Sequence, residues 1–146
     1  MRGPTGRRRP QVDWYLLVGD ETALPVIART LESLPTAAKG FAFIEVADES
    51  GQQPIRYDAD IELRWLHRND AEAGTTSLLV DAVRSVEMPP AGTRIHAMAG
   101  VEYPAFKAIR RYWRDELKLD KKDILPAAYW RRGRRAGEAT SEDEED

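Results

Sequence analysis

Two hydrophobic rhythms divide the chain. Trp14-Tyr15-Leu16-Leu17-Val18, after Asp13 and before Gly19, is a continuous apolar run, and Phe41-Ala42-Phe43-Ile44-Glu45-Val46 is nearly one. Runs of that length suit strands covered on both faces, as in a parallel sheet. Ile61 to Leu66 alternates polar and apolar residues, which predicts a strand nearer the sheet edge. Between the first two strands, Leu24, Ile27, Leu31 and Leu34 recur at spacings of three and four and predict a helix over 22–34. Pro25 fits its first turn and Pro35 marks its end. Thr75-Thr76 cap a second helix whose Leu79, Ala82, Val83 and Val86 share a face, closed by Pro89-Pro90. Arg94 to Met98 is a fourth strand. A third helix, over 103–117, carries Phe106, Ile109, Trp113 and Leu117 on one stripe with Pro104 in its first turn. A short helical turn near Lys121–Leu125 precedes a last strand, Ala127 to Trp130. The order strand, helix, strand, strand, helix, strand, helix, strand predicts an α/β fold with an open, mostly parallel, doubly wound sheet.

Composition narrows this picture. The 146 residues suit one domain, and 42% apolar residues can build its core. There is no cysteine, which excludes disulfides, zinc–cysteine sites, iron–sulfur clusters and thiol nucleophiles. No apolar run approaches the roughly 18 residues that span a bilayer, so no membrane association and a cytoplasmic location are expected. Charge is uneven. Residues 1–10 carry four arginines and no acid, 131–135 carry four more, and 138–146 carry six acids and no base. Both ends lack large apolar residues, so 1–12 is expected to be a disordered basic segment and 134–146 a disordered one ending acidic, flanking a domain over 13–133. Arg7-Arg8-Arg9 could grip phosphates, but acids outnumber bases in the body and argue against nucleic acid as a partner.

Ligands of open parallel sheets bind beyond the carboxyl ends of the strands. Two glycine-bearing strand exits stand there, Val18-Gly19-Asp20-Glu21-Thr22 and Ala99-Gly100-Val101-Glu102. Glycine at such exits serves either a tight turn or the close approach of a phosphate to the following helix. Asp20, Glu21 and Thr22 serve either to cap that helix or to contact a ligand. His67 and His96 have no ligand-spaced partner and read as hydrogen-bonded strand residues, so no metal site and no catalytic side chain are expected. Arg110, Arg111 and Arg114 read as a solvated helix face balanced by Asp115 and Glu116, with an anion site as the alternative. Trp14, Trp65 and Trp113 read as packing.

The stretch Gly19-Asp20-Glu21-Thr22-Ala23-Leu24-Pro25-Val26-Ile27, directly after an apolar strand, resembles the signature of the siderophore-interacting protein family. The similarity continues through Phe43-Ile44-Glu45-Val46-Ala47-Asp48, Trp65-Leu66-His67-Arg68, Ala99-Gly100 and Arg110-Arg111-Tyr112-Trp113-Arg114 to Tyr129-Trp130-Arg131-Arg132-Gly133. The family comprises flavin-dependent ferric-siderophore reductases, and the matching part is their C-terminal domain, which resembles the nicotinamide-nucleotide domain of ferredoxin reductases.

The resemblance implies a role in ferric-siderophore reduction, with this chain supplying NADPH or NADH binding, weakly, through Gly19, Asp20, Glu21, Thr22, Gly100 and Glu102. FAD would come only from a partner domain, which could be a separate protein, because the family's flavin barrel is not in the sequence. A non-catalytic interaction module descended from such a reductase is the alternative. Where the family reads Ala-Gly-Glu, Val101 intervenes before Glu102, which would displace that acid. Trp130, Arg131 and Arg132, a planar aromatic beside two guanidiniums, read either as the surface for an anionic ferric siderophore, which the resemblance implies, or as a last strand with a basic frayed end. Asp48 would disfavour the 2′-phosphate of NADPH whereas Arg68 could hold it, which leaves the choice of nucleotide open.

Overall fold

The computed structural model describes residues 12–133, so the expectations for most of the basic start and for the acidic end lie outside the described residues. Five strands, β1 (Trp14–Asp20), β2 (Lys39–Val46), β3 (Asp60–His67), β4 (Ile95–Glu102) and β5 (Ile124–Trp130), form one sheet in the order β3-β2-β1-β4-β5. Every neighbouring pair is parallel. The three helices are α1 (Leu24–Ser33), α2 (Leu78–Ser85) and α3 (Tyr103–Arg111). The order of elements is the one the hydrophobic pattern predicts.

Side-chain alternation along the strands sends their apolar residues into two cores. Leu16, Val18, Phe43, Ala97, Ala99 and Val101 meet Leu79 and Val83 of α2 and Phe106 and Ile109 of α3 on one face. Leu17, Ala42, Ile44 and Met98 meet Leu24, Ile27 and Leu31 of α1 on the other. The sheet is therefore doubly wound. β1 sits at its centre, which is why its sequence is apolar without alternation, whereas the alternating β3 lies at an edge. At the opposite edge β5 exposes Leu125 and Tyr129 and carries Pro126 at its middle.

Several boundaries differ from the sequence pattern. Glu21–Ala23 is a 3-10 turn capped by Asp20, and α1 proper starts after it, with Pro25 in its first turn. The N-cap of α2 is Ser77, one residue past the expected Thr75-Thr76, and the Thr76 hydroxyl accepts from Leu78 N at 3.3 Å. α3 ends at Arg111 and continues as a π-helical turn, Tyr112–Glu116, closed by Leu117 N donating to the Tyr112 carbonyl at 2.9 Å. The helical turn before β5 is only Lys121–Asp123, so that strand begins at Ile124.

The larger difference is in the glycines. β1 and β4 do not stop before Gly19 and Gly100; both glycines lie inside the strands and face each other in register. Neither is a turn residue. A Cβ on Gly19 would stand 2.6 Å from Ala23 Cβ and 2.9 Å from Ile27 Cδ1. One on Gly100 would stand 2.8 Å from the Tyr129 ring and 2.9 Å from Ala23 Cβ. The missing side chains let the Ala23 turn and the Tyr129 ring lie flat on the sheet.

Gly19→Ala should accordingly cost about 1–3 kcal/mol, the usual penalty for overpacking a close-packed core. Urea unfolding monitored by tryptophan fluorescence measures it; a variant as stable as the wild type would mean that Gly19 has no packing role.

Candidate functional site

Parallel strands all end on the same edge, so the last side chain of each meets its neighbours there. In this chain those ends carry charge. Asp20 closes β1, Glu45 lies opposite it on β2, and Glu102 closes β4. All three are buried, and they are the buried acidic residues among those described. They line a cleft of about 210 Å3 whose other walls are Gly74, Thr76 and Ser77, Leu79 and Val80 of α2, Val101, and Pro104 and Ala105 of α3.

Each carboxylate is tied differently. Asp20 Oδ1 accepts from the Thr22 amide at 2.9 Å and from the Thr22 hydroxyl, while Oδ2 accepts from the Trp130 indole Nε1 at 2.8 Å. Glu45 accepts from Arg68 and from the Thr76 hydroxyl, both at 3.2 Å. Glu102 accepts from the Arg132 amide at 3.2 Å. Arg68, from just beyond β3, reaches Glu21 at 2.6 Å with the other arm of its guanidinium. Its side chain is only 6% exposed, so the Arg68–Glu45 pair is desolvated on both sides.

Burial raises Glu45 above the ordinary carboxylate range, outweighing its hydrogen bonds, and the Asp20 charge adds to the shift. Glu102 is raised the same way, first by burial and then by Asp20, against the pull of Arg132 and Arg131. Glu21 lies below its usual value. Partial burial works against that, and the Arg68 hydrogen bond, a backbone bond and the Arg68 charge together outweigh it.

Two clusters that the sequence suggests separately prove to be one. The Trp130–Asp20 bond joins residues 110 positions apart, and the Arg132–Glu102 bond joins residues 30 positions apart across β4 and β5. Arg132 also pairs with exposed Glu72 at 3.1 Å, and the Arg131 guanidinium lies 4.5 Å over the Tyr103 ring. Gly74 has φ +84° and packs against Arg132 and Trp130, where a Cβ would stand 2.8 Å from Arg132 Cδ. Of the six expected nucleotide residues, Asp20 and Glu102 line the cleft. Glu21 and Thr22 are exposed beside it, and Gly19 and Gly100 are buried in the sheet. At Val101 and Glu102 the β4–β5 register slips, from Val101 opposite Ala128 to Glu102 opposite Trp130.

Other expectations need correction. Arg68 is not a ready phosphate ligand, since two glutamates already hold it. Glu116 does not balance the α3 arginines; it pairs with Arg84 of α2 at 3.1 Å. His67 is, as expected, a hydrogen-bonded strand residue, in contact with Gln52 at 2.6 Å, whereas His96 packs edge-on to Tyr15; among the described residues no group of His, Asp and Glu is placed to hold a metal. Glu45, Thr76 and the Gly74 loop were missed as site residues. The signal for Glu45 was available: one acid in an otherwise apolar central strand.

A siderophore-interacting protein family model matches residues 12–133. The chain belongs to that family. Ferric vibriobactin reductase ViuB of Vibrio cholerae is 30% identical over 122 residues, which cover 84% of this chain and 44% of ViuB. A siderophore utilization protein from T. fusca has the same fold at a TM-score of 0.82 and 40% identity, over 90% of this chain and 49% of that one. The siderophore-interacting protein SipS from Aeromonas hydrophila superposes at a TM-score of 0.72 and 27% identity, over 85% of this chain and 53% of its own. The chain thus spans about half the length of these family members.

Removing one partner from a buried ion pair costs about 3–5 kcal/mol, because the other charge is left behind. Arg68→Met should show a loss of that order at pH 7 in urea unfolding, and adding Glu45→Gln should recover most of it. Glu102 gives a pH signature. Its folded proton affinity is raised, so the folded chain holds that proton to higher pH than the unfolded chain, and stability falls as pH climbs out of the ordinary glutamate range. Glu102→Gln should therefore melt above the wild type at pH 7 and level with it below about pH 4.

Proposed function

We propose that residues 12–133 are the nicotinamide-nucleotide half of a ferric-siderophore reductase, and that the flavin site is contributed by residues outside this segment. The observation that carries the reading is the position of the cleft. It opens between β1 and β4, where the strand order reverses and where open α/β sheets bind their ligands.

The lining suits part of a nicotinamide nucleotide. Leu79, Val80, Val101 and Pro104 offer an apolar wall to a flat ring, and Asp20, Glu45 and Glu102 can accept from a carboxamide N–H. The same acids favour the cationic, oxidised ring over the neutral reduced one. The pyrophosphate is less well served. The Thr22 amide is taken by Asp20 and Arg68 is taken by Glu21 and Glu45, so that N–H and that guanidinium are already engaged. At about 210 Å3 the cleft is also below the roughly 300–1,000 Å3 of ordinary ligand pockets. A nicotinamide-sized fragment fits and a whole dinucleotide is held weakly. When bound, the nucleotide would supply hydride to a flavin, and the flavin single electrons to iron(III), the substrate metal. The task of this chain's residues is to orient the ring and keep water from it.

Trp130, Arg131 and Arg132 stand at the same edge and suit an anionic chelate. Their charged contacts to a catecholate or carboxylate would contribute roughly 1.5–3 kcal/mol each. The exposed Arg132–Glu72 pair that competes with them is worth about 1 kcal/mol at most.

Two titrations test the proposal. NADH and NADPH should each shift the amide resonances of Asp20–Thr22 and Glu102, with weak affinity; shifts confined to the far edge of the sheet would sink the nucleotide assignment and favour an interaction module. Replacing Arg131 and Arg132 by alanine should weaken ferric-catecholate binding about tenfold or more, from the loss of two charge-assisted contacts. The melting temperature should barely move. Earlier unfolding of the double variant would make the arginines structural instead.

A further inference from the structure

The connection from β3 to α2 forms one wall of the cleft and has no helix or strand of its own. It is anchored at both ends. The Asn69 amide donates to the Ala47 carbonyl at 2.9 Å, and the Thr76 hydroxyl donates to Glu45 at 3.2 Å. Between those anchors the Ala71 and Thr75 amides close local turns onto the Arg68 and Glu72 carbonyls. Among the described residues, the one bond that ties 70–75 to another part of the chain is the ion pair of Glu72 with Arg132, at 3.1 Å. Gly74 rests on the same side chain, where a Cβ would stand 2.8 Å from Arg132 Cγ as well as Cδ and 3.0 Å from the Trp130 ring. A single arginine, two residues past the end of β5, therefore clasps this wall from outside.

The geometry points to Glu72 as an internal competitor for the anion at Arg132: it holds the Gly74 loop closed, and an anionic chelate that reaches Arg132 releases the loop and opens the cleft. This rests on the reading of Arg132 as a chelate contact and adds the regulation of that site. Three features carry it. The first is strength. The paired side chains are 48% and 73% exposed, so the latch is screened and weak, whereas a chelate brings charge-assisted contacts of its own. The second is geometry. Glu72 holds one arm of the guanidinium, Nη2, and an incoming polyanion either takes that arm or stands beside the Glu72 carboxylate and repels it. Both push the loop away. The third is coupling. The Arg132 side chain bears on Gly74 and its amide holds Glu102, and both of those residues line the cleft. A shift of Arg132 is therefore felt at two walls of the cleft at once. By linkage, whatever widens the cleft from inside also frees Arg132 for the chelate.

The test compares the full chain with Glu72→Gln and uses a trianionic gallium(III) tris-catecholate, a diamagnetic chelate, as the probe. Without probe, hydrogen exchange at the Ala71 and Thr75 amides should be about threefold to fivefold faster in the variant, which is what one exposed ion pair can contribute. The melting temperature should stay where it is. The probe should bind the variant tighter by the same factor, because its competitor is gone. Saturating probe should speed exchange at the same two amides in the wild type, and Arg132→Gln should remove that response. A pair that is merely structural would loosen the loop in Glu72→Gln without tightening the probe, and this would overturn the proposal. Unchanged exchange in Glu72→Gln would overturn it as well, and so would wild-type exchange that ignores bound probe. If neither chain binds the probe at low salt, the chelate reading of Arg132 fails and takes this proposal with it. Equal, measurable affinity in both chains overturns the proposal alone.

Discussion

The carboxyl edge of the sheet is organised around one buried carboxylate. Asp20 spends one oxygen on the Thr22 turn and the other on the Trp130 indole. The first bond sets how the chain leaves the central strand for α1, and the second pins the end of the outermost strand 110 residues later. Glu45 stands beside it in register and Glu102 closes the next strand, so three anions share a space from which water is largely excluded. Mutual repulsion and desolvation would drive such a group apart or protonate it. Arg68, held between Glu21 and Glu45, is the counterweight that lets the edge close. The cleft, the capped first turn and the placement of Trp130 and Arg132 all follow from how these charges are satisfied.

If the cleft takes a nucleotide as proposed, the same arrangement would favour one end of it. A turn whose N–H and nearby cation are already engaged resists a pyrophosphate, whereas carboxylates above an apolar wall welcome an amide and a cationic ring. Occupancy of the first turn by side chains of this chain is a property of the fold, present before any ligand arrives. A dinucleotide bound there as proposed would have to displace these bonds or extend past them.

Much of the fold was legible in the sequence because burial leaves periodic traces. The unbroken apolar run from Trp14 to Val18 marks the central strand, and the alternation from Ile61 to Leu66 marks an edge, as the sheet order bears out. The stripe Leu79, Val83, Val86 gives α2 its inward face. Glycine misled, because one residue type serves two purposes. At Gly19 and Gly100 it permits close packing inside strands, whereas at Gly74 it permits a positive φ. The ends of β4 were lost for the same reason: Ala99-Gly100 looks like a break, yet small residues are what a crowded central strand needs. The distant partners of Asp20, Glu45 and Glu102 were out of reach, since they lie 23 to 110 residues away and depend on strand order, which no local pattern encodes; only the Thr22 cap of Asp20 is local.

Pro126 has a bearing on how a second protein or domain could meet this one. An edge strand ordinarily offers a row of unpaired donors and acceptors on which another strand can grow. A proline midway along β5 deletes a donor, and sheets tolerate it only at such an edge. The ladder therefore cannot be extended without interruption past the middle of β5. Whatever covers Leu125 and Tyr129 must come to their side chains face-on, as a packed surface, and its fit will be decided by shape and apolar contact instead of by backbone pairing.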